Sequence, residues 1–293
     1  MARFGPVMTA MVTPFDDSGR IDLEGAAALA TWLVEQGNDG LVITGTTGEA
    51  STLTDDEQVE VWRVVRAAVD VPLIAGSGTN DTRHAAELTG QADAAGMDAV
   101  LLVTPYYNRP SQAGIEAHFR HVAAATRLPV MLYDIPIRTG RKISTEVMLR
   151  LVREVPNVFA VKDAAGDPAE SARLIAEGPA DFELYSGDSA LTLQLMSVGA
   201  VGVVGVCTHW AAREMADMIA AYQKGDVERA RELNAQLIES YDFESGDLHP
   251  NPVPTKAMLR ALGQPAGECR FPMGPTPDGL QTRALELWNR LHA

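Results

Sequence analysis

The amino-acid sequence predicts an α/β protein, a (β/α)8 or TIM barrel with a C-terminal helical extension. Short apolar runs bounded by turn residues, typical of strands buried on both faces, alternate with helical segments. This strand and helix unit recurs eight times in 293 residues. The alternation indicates parallel βαβ units, and eight of them close into a barrel. A doubly wound open sheet is the alternative, although such a sheet rarely needs eight units this regular.

The predicted strands are apolar runs that end at turn residues. In chain order they cover 6–12, 40–43, 72–75, 99–103, 129–133, 158–162, 182–185 and 202–206, of which 182–185 is the weakest. The predicted helices cover about 22–35, 54–69, 82–96, 111–126 and 144–154, and a further helix begins after Asp167. Thr54 and Glu57 form a capping box, and Asp167 is an N-cap followed by proline at the first helical position.

The barrel is expected to end near 223–225, so residues 1–225 are predicted to form the barrel catalytic domain. Three more helical segments follow at 227–241, 254–262 and 277–291. Residues 226–293 are therefore predicted to form a C-terminal helical extension that packs on the barrel. A chain of this length can bury a sizeable core.

Composition restricts the partners and the location. Hydrophobic residues make up 46% of the chain and charged residues 22%, which is ordinary for a soluble globular protein. The formal net charge of −15 argues against nucleic-acid and anionic-membrane partners. We find no leader pattern and no apolar run long enough to span a bilayer. The two cysteines, Cys207 and Cys269, form no C-x-x-C pair. We therefore expect a cytoplasmic protein.

Lys162 follows directly on the apolar run 158–161, at the end of a strand predicted to be buried. Lysine is almost never fully buried unless it is paired. Desolvation would depress its pKa and leave a neutral amine able to attack a carbonyl. The alternative is a lysine that ends the strand and extends its ammonium group into water. This stretch alone favours neither interpretation.

The catalytic face of such a barrel lies at the carboxyl ends of the strands. The polar residues expected there are Thr46, Thr47, Tyr106, Tyr107, Tyr133, Arg138 and Lys162. They combine an amine nucleophile with phenols that can shuttle protons, hydroxyls that orient them, and a guanidinium that suits a carboxylate. Strand-end packing or capping explains any one threonine or tyrosine, but it explains the whole set poorly.

No metal site and no cofactor are predicted. His118 and His121 have i, i+3 spacing on a helix, but with Glu116 nearby they do not make a metal pattern and are more typical of a solvated helix face. The run Gly-Ser-Gly at 76–78 lacks the Gly-Lys-Ser/Thr that a phosphate-binding loop requires.

Several motifs resemble those of the dihydrodipicolinate synthase family, pyruvate-dependent class I aldolases related to N-acetylneuraminate lyase. They are GTTGE at 45–49, TPYYN at 104–108, YDIP at 133–136 with RTG at 138–140, VKDA at 161–164, SGD at 186–188, and NPVP at 251–254 with Lys256. The motifs occur in order and at matching spacing over nearly the whole chain. The resemblance implies condensation of pyruvate with L-aspartate 4-semialdehyde to 4-hydroxy-tetrahydrodipicolinate, on the route to diaminopimelate and lysine.

The resemblance also implies roles for individual catalytic residues. Lys162 is similar to the lysine that forms a Schiff base with pyruvate, and Tyr133 to the proton donor. Thr46 and Tyr107 are similar to the relay partners of that tyrosine. In the family the equivalent of Tyr107 comes from the adjacent subunit, which implies a homo-oligomer, a tetramer or dimer of dimers.

Three residues are similar to the family's substrate-binding residues. Thr47, with the backbone amides of 46–47, resembles the site for the pyruvate carboxylate, and Val204 resembles a backbone contact on the eighth strand. Arg138 resembles the arginine that binds the carboxylate of the aldehyde substrate. A guanidinium holds a carboxylate through two parallel hydrogen bonds.

The sequence departs from the usual family pattern at Asp134, Gly205 and 207–209. These departures put fine substrate positioning in doubt but leave the imine chemistry intact. Two other functions stay open. One is a related pyruvate aldolase acting on a sugar acid or a hydroxy-oxoglutarate, which Thr46 and Thr47 together with Arg138 disfavour. The other is a non-catalytic barrel that binds a metabolite or partners, which retention of Lys162, Tyr133 and both threonines disfavours.

The resemblance bears on feedback control as well. In lysine-inhibited members of the family the inhibitor lies at a subunit interface, and Tyr106 and Asn80 match residues that hold it. His84 replaces the glutamate that would bind the lysine amines, and Asp55 and Gln58 replace two histidines. We expect Asp55 to be engaged with the helix N-terminus. Weak or absent inhibition by L-lysine is therefore predicted.

Overall fold

Eight parallel strands form a closed barrel in the computed structural model, which describes residues 2–244, 246 and 248–293. The strands are β1 (Val7–Ala10), β2 (Gly40–Ile43), β3 (Leu73–Gly76), β4 (Ala99–Val103), β5 (Val130–Asp134), β6 (Val158–Asp163), β7 (Glu183–Ser186) and β8 (Gly202–Gly205). Each strand pairs with the next along the chain, and β8 closes the barrel on β1. The predicted (β/α)8 barrel is confirmed, and the alternative of an open sheet is wrong.

Twelve α-helices are found among the described residues. They are α1 (Leu23–Glu35), α2 (Asp55–Ala68), α3 (Thr82–Ala92), α4 (Gln112–Ala123), α5 (Pro136–Thr139), α6 (Thr145–Glu154), α7 (Pro168–Glu177), α8 (Thr192–Met196), α9 (Thr208–Gln223), α10 (Val227–Glu244), α11 (Val253–Ala261) and α12 (Leu280–Leu291). The capping box at α2 is formed, because Thr54 Oγ1 accepts from the Glu57 amide while the Glu57 carboxylate accepts from the Thr54 amide. Asp167 caps α7 by accepting from the amide of Glu170.

The interior of the barrel is filled by side chains that point inward from the strands. Its buried residues include Met8, Val42, Ile74, Leu101, Met131, Phe159, Tyr185 and Val204. A larger core lies between the strands and the surrounding helices. Because the strands are parallel, their carboxyl ends meet at one rim, and the residues that follow them converge there.

Three helices follow the barrel and pack on it. Helix α10 packs along α9, the helix of the eighth unit, and α11 packs against α12 and α9. This arrangement brings the residues at the start of α11 to the rim of the barrel. None of the helices formed by the described residues combines the length and apolar composition that a membrane crossing requires.

Candidate active site

Lys162 is buried at the end of β6, with only 4% of its surface exposed. It lies in register with Tyr133 on β5 and Tyr185 on β7, and its Nζ is 4.4 Å from the centroid of the Tyr133 ring. Burial lowers the pKa of the amine from 10.5 to about 7, opposed by the charge of Glu244 and assisted by that of Arg138. The amine is therefore available as a nucleophile near neutral pH. The alternative of a solvated strand-end lysine is wrong.

Gly187 has no side chain, and the Lys162 side chain occupies the space beside it. A Cβ atom at Gly187 would lie 2.9 Å from Lys162 Cγ and 3.1 Å from its Cε. The backbone is fixed there as well, since the Gly187 amide donates to the carbonyl of Asp163 at 2.7 Å. The glycine of the Ser-Gly-Asp motif thus has a steric purpose beside the buried amine.

Tyr133 holds its phenol proton firmly. The ring is buried at the end of β5, and burial raises the pKa of the phenol to about 12, while the charge of Arg138 and a hydrogen bond with Thr46 oppose the rise. Its backbone is fixed by Thr104, whose amide and hydroxyl both donate to the Tyr133 carbonyl at 3.0 Å. The phenol is therefore protonated at neutral pH, which makes it available as a proton donor, and it needs a partner to take one up.

A cavity of about 320 Å³ opens at the rim, beyond the ends of β2 to β5. Four of the seven predicted site residues line it, namely Thr46, Tyr107, Tyr133 and Arg138. The other three, Lys162, Thr47 and Val204, are buried and do not line it. Tyr133 lines the cavity, and the centroid of its ring is 4.4 Å from Nζ of Lys162.

Thr47 lies in a tightly held turn after β2. Its Oγ1 accepts a hydrogen bond from Nδ2 of Asn251 at 2.9 Å. Two residues on, Glu49 has a left-handed backbone with φ of 57°, and its Oε1 is 2.6 Å from Nζ of Lys256 on α11. Its Oε2 accepts from the backbone amide of Arg270 at 2.9 Å. The turn is thus anchored to the C-terminal helices.

Arg138 extends from the short helix α5 into the mouth of the cavity. Its Nη2 donates to the backbone carbonyl of Asn251 at 3.3 Å. A guanidinium carries five N–H donors, so this contact orients the group and leaves donors for a bidentate carboxylate.

Tyr107 is strongly exposed to solvent. Its side chain is 89% exposed, and its backbone has a left-handed φ of 71°. Within the described part of the chain no hydrogen bond joins it to Tyr133 or Thr46. Its neighbour Tyr106 is half-buried, and burial raises the pKa of that phenol.

Val204 is buried on β8 opposite Met8 of β1, and the residues after it contain two linked departures. A Cβ atom at Gly205 would lie 2.8 Å from Cγ2 of Thr208. The Thr208 hydroxyl in turn accepts from the Thr9 hydroxyl at 2.6 Å. Glycine at 205 is therefore matched to threonine at 208, because a side chain at 205 would crowd the threonine.

One expectation about a side chain on a helix is wrong. His118 does not lie on a solvated face, because it is buried with its Nδ1 2.9 Å from the Thr82 hydroxyl, and burial lowers its pKa to about 4. Asp55 lies in the first turn of α2, and its Oδ1 is also 2.8 Å from Nε2 of His84. Among the described residues, no group of three or more His, Cys, Asp or Glu is arranged to hold a metal ion.

Sequence reasoning missed the part played by three residues. Asn251, Glu49 and Gly187 all occur in the motifs quoted above, but no role followed from their side chains alone. Asn251 contacts Thr47 across 204 positions of sequence, and local patterns carry no information about such a pair.

Comparison with known proteins gives consistent matches over nearly the full chain. The model of the dihydrodipicolinate synthetase family matches residues 3–287. A 4-hydroxy-tetrahydrodipicolinate synthase of Acidothermus cellulolyticus is 52% identical over 276 residues, covering 93% of this chain and 87% of the relative. That of Moorella thermoacetica is 47% identical over 273 residues, 92% of each chain.

Solved structures agree with the sequence matches. A dihydrodipicolinate synthase of Bacillus anthracis superposes with a TM-score of 0.94 at 42% identity, covering 99% of both chains. The enzyme of Cyanidioschyzon merolae, solved with lysine bound, superposes with a TM-score of 0.95 at 40% identity, covering 99% of this chain and 98% of the other.

Proposed function

This chain belongs to the dihydrodipicolinate synthetase family, and from that membership we propose how its residues carry out the reaction. The activity is that of a 4-hydroxy-tetrahydrodipicolinate synthase, a carbon–carbon lyase of the class I aldolase type that serves lysine and diaminopimelate biosynthesis. Its substrates are pyruvate and L-aspartate 4-semialdehyde. The observation that carries the assignment of roles is the buried Lys162 amine beside the Tyr133 ring.

Lys162 is the nucleophile. Its neutral amine attacks the ketone carbon of pyruvate, and loss of water from the adduct gives an imine. The amine gives up its two protons in these steps, while the ketone oxygen takes up two and leaves as water. The imine then accepts electrons when a methyl proton is removed, and the resulting enamine attacks the aldehyde carbon of the semialdehyde.

Tyr133 moves the protons in these steps. Because burial raises the pKa of the phenol to about 12, it is protonated at neutral pH, so it can deliver a proton to a leaving hydroxide or to the aldehyde oxygen but must lose its own proton before it can remove one. It therefore works with relay partners, namely Thr46, which is hydrogen-bonded to Tyr133, and Tyr107, which has no hydrogen bond to Tyr133 among the described residues. The exposed Tyr107 fits a role in the site of an adjacent subunit, which makes a homo-oligomer, a tetramer or dimer of dimers, part of the proposal. Mixing inactive Lys162→Ala and Tyr107→Phe proteins would restore activity if the residue acts between subunits, and would leave the mixture inactive otherwise.

Two groups bind the substrate carboxylates. Thr47, with the backbone amides of 46–47 and the backbone at Val204, holds the carboxylate of pyruvate. Arg138, oriented by the carbonyl of Asn251, holds the carboxylate of the semialdehyde. This charge at the mouth disfavours a sugar-acid aldolase, since hydroxyl groups would use the guanidinium poorly. A cytoplasmic location remains a prediction.

The test is incubation of the protein with pyruvate alone and with pyruvate plus L-aspartate 4-semialdehyde. Product should form only with both substrates. Cleavage or condensation of a sugar acid at a comparable rate, with no turnover of the semialdehyde, would contradict the proposal.

A further inference from the structure

Asn251 contacts both groups to which substrate carboxylates are assigned. Its side chain is 6% exposed, and its Nδ2 donates to Thr47 Oγ1 at 2.9 Å. Its backbone carbonyl accepts from Arg138 Nη2 at 3.3 Å. One residue just ahead of α11 thus uses its side chain toward the pyruvate site and its backbone toward the semialdehyde site.

The orientation of the Asn251 amide decides which way the Thr47 hydroxyl points. An amide nitrogen only donates, so Thr47 Oγ1 accepts from it and the single hydroxyl proton must point elsewhere. The Thr255 hydroxyl, fully buried on α11, donates to Asn251 Oδ1 at 3.1 Å. Reversing the amide would turn Thr255 into the acceptor and Thr47 into the donor, and the buried Thr255 proton would lose this partner.

Carboxylate oxygens only accept hydrogen bonds, so a hydroxyl binds a carboxylate only when its proton faces it. We propose that Asn251 is a positioning residue, which directs the Thr47 hydroxyl proton at the carboxylate of pyruvate, and that the Thr255 hydroxyl is one of the contacts that stabilise this orientation of the Asn251 amide. The inference rests on the proposed function, because it takes pyruvate as the ligand beside Thr47.

The turn that carries Thr47 is held independently of this amide. Lys256, the residue after Thr255, is fully buried, and its Nζ lies 2.6 Å from Oε1 of Glu49 and 3.2 Å from the carbonyl of Glu268. The backbone amide of Arg270 holds the other oxygen of Glu49. A substitution that replaces only the amide nitrogen of Asn251 therefore changes the direction of one hydrogen bond, while Glu49 continues to hold the turn through Lys256 and Arg270.

The decisive variant is Asn251→Asp, which has the same shape but can only accept from Thr47. It reverses the hydrogen bond and turns the hydroxyl proton away from pyruvate. Because a hydrogen bond to a charged group is lost, we expect the KM for pyruvate to rise about tenfold or more. The KM for the semialdehyde should stay within about twofold, because Arg138 is oriented by the backbone carbonyl, which the substitution retains.

Two controls separate hydrogen-bond direction from added charge and from folding. In a Thr47→Val background there is no hydroxyl to redirect, so Asn251→Asp should retain only the small effect of its charge. Thr255→Val, which removes the hydroxyl that donates to Asn251 Oδ1, should raise the pyruvate KM severalfold, and Thr255→Ser should keep it near the wild-type value. The Thr255 pair alone decides the matter if the Asn251→Asp variant does not fold.

Borohydride trapping with pyruvate is first measured on the unsubstituted enzyme. Failure to trap there refutes the proposed function, whereas the following outcomes concern only Asn251. An unchanged pyruvate KM in folded Asn251→Asp overturns the inference. An equal loss for both substrates, or an undiminished effect in the Thr47→Val background, overturns it as well.

Discussion

Replacing Lys162 with methionine is expected to stabilise the protein while abolishing its activity. The fold buries the amine so that only 4% is exposed, and burial lowers its pKa from 10.5 to about 7. One pKa unit corresponds to about 1.4 kcal/mol, so the fold carries an unfavourable contribution on the order of 5 kcal/mol at low pH. Methionine has a similar length and no charge to desolvate, and it therefore removes this contribution.

The effect has a defined pH dependence. Above the unfolded pKa of 10.5 the amine is neutral in both states, and no difference arises. As the pH falls, the unfolded chain binds the proton first, which favours unfolding. Below the folded pKa of about 7 both states bind it, and the cost reaches its limit. The advantage of the methionine variant should therefore grow from high pH toward neutrality and then level off.

Chemical denaturation of the two proteins measures this difference. The two proteins are compared at equal concentrations, because the proposed assembly would add to apparent stability. Lys224→Met serves as the control, since Lys224 is exposed at the end of α9 and its substitution should change stability little at any pH. A wild-type protein that is more stable than Lys162→Met below neutral pH, or a difference independent of pH, would refute the reasoning about the buried amine.

Three further predictions concern the rim of the barrel. Arg138→Ala should keep borohydride trapping with pyruvate and lose about one to two decades of condensation rate with the semialdehyde, as a lost charged hydrogen bond predicts, and unchanged turnover would point to another aldolase. Gly187→Ala should slow imine formation with pyruvate, because its Cβ would crowd Lys162, whereas Gly90→Ala, with no atom closer than 3.7 Å, should not; equal rates would show that Lys162 has room to move. L-lysine should inhibit weakly or not at all, since Asp55 is paired with His84, and submillimolar inhibition in a steady-state assay would contradict this.

Local sequence patterns were sufficient for the barrel. The capping box of Thr54 and Glu57 marks the start of α2, and the N-cap at Asp167 marks that of α7, because these signals act over three residues. Two helix boundaries differ from the predicted ones, because a turn with a left-handed glycine lies at the predicted end or start of the helix. Helix α3 ends at Ala92 ahead of the predicted Gly96, which has a left-handed φ of 78°. Helix α12 begins only after Gly279, also left-handed.

The supporting contacts of the site could not be predicted in this way. Asn251 forms its hydrogen bond with Thr47 across 204 positions of sequence. The ion pair of Lys256 with Glu49 spans a similar separation. His118 looked like a surface residue because helical spacing alone does not reveal that the Thr82 side of α3 covers it. Such contacts depend on how the closed barrel and its C-terminal helices pack together.

The most direct test of the central claim is reduction with borohydride in the presence of pyruvate, followed by peptide mapping. The predicted result is one reduced pyruvate adduct per chain, on Lys162, and no adduct in Lys162→Ala. The remaining lysines are Lys142, Lys224 and Lys256, and Lys256 is itself buried, so it is the natural internal control. An adduct on any of these three, or trapping that survives in Lys162→Ala, would contradict the assignment of Lys162 as the Schiff-base lysine.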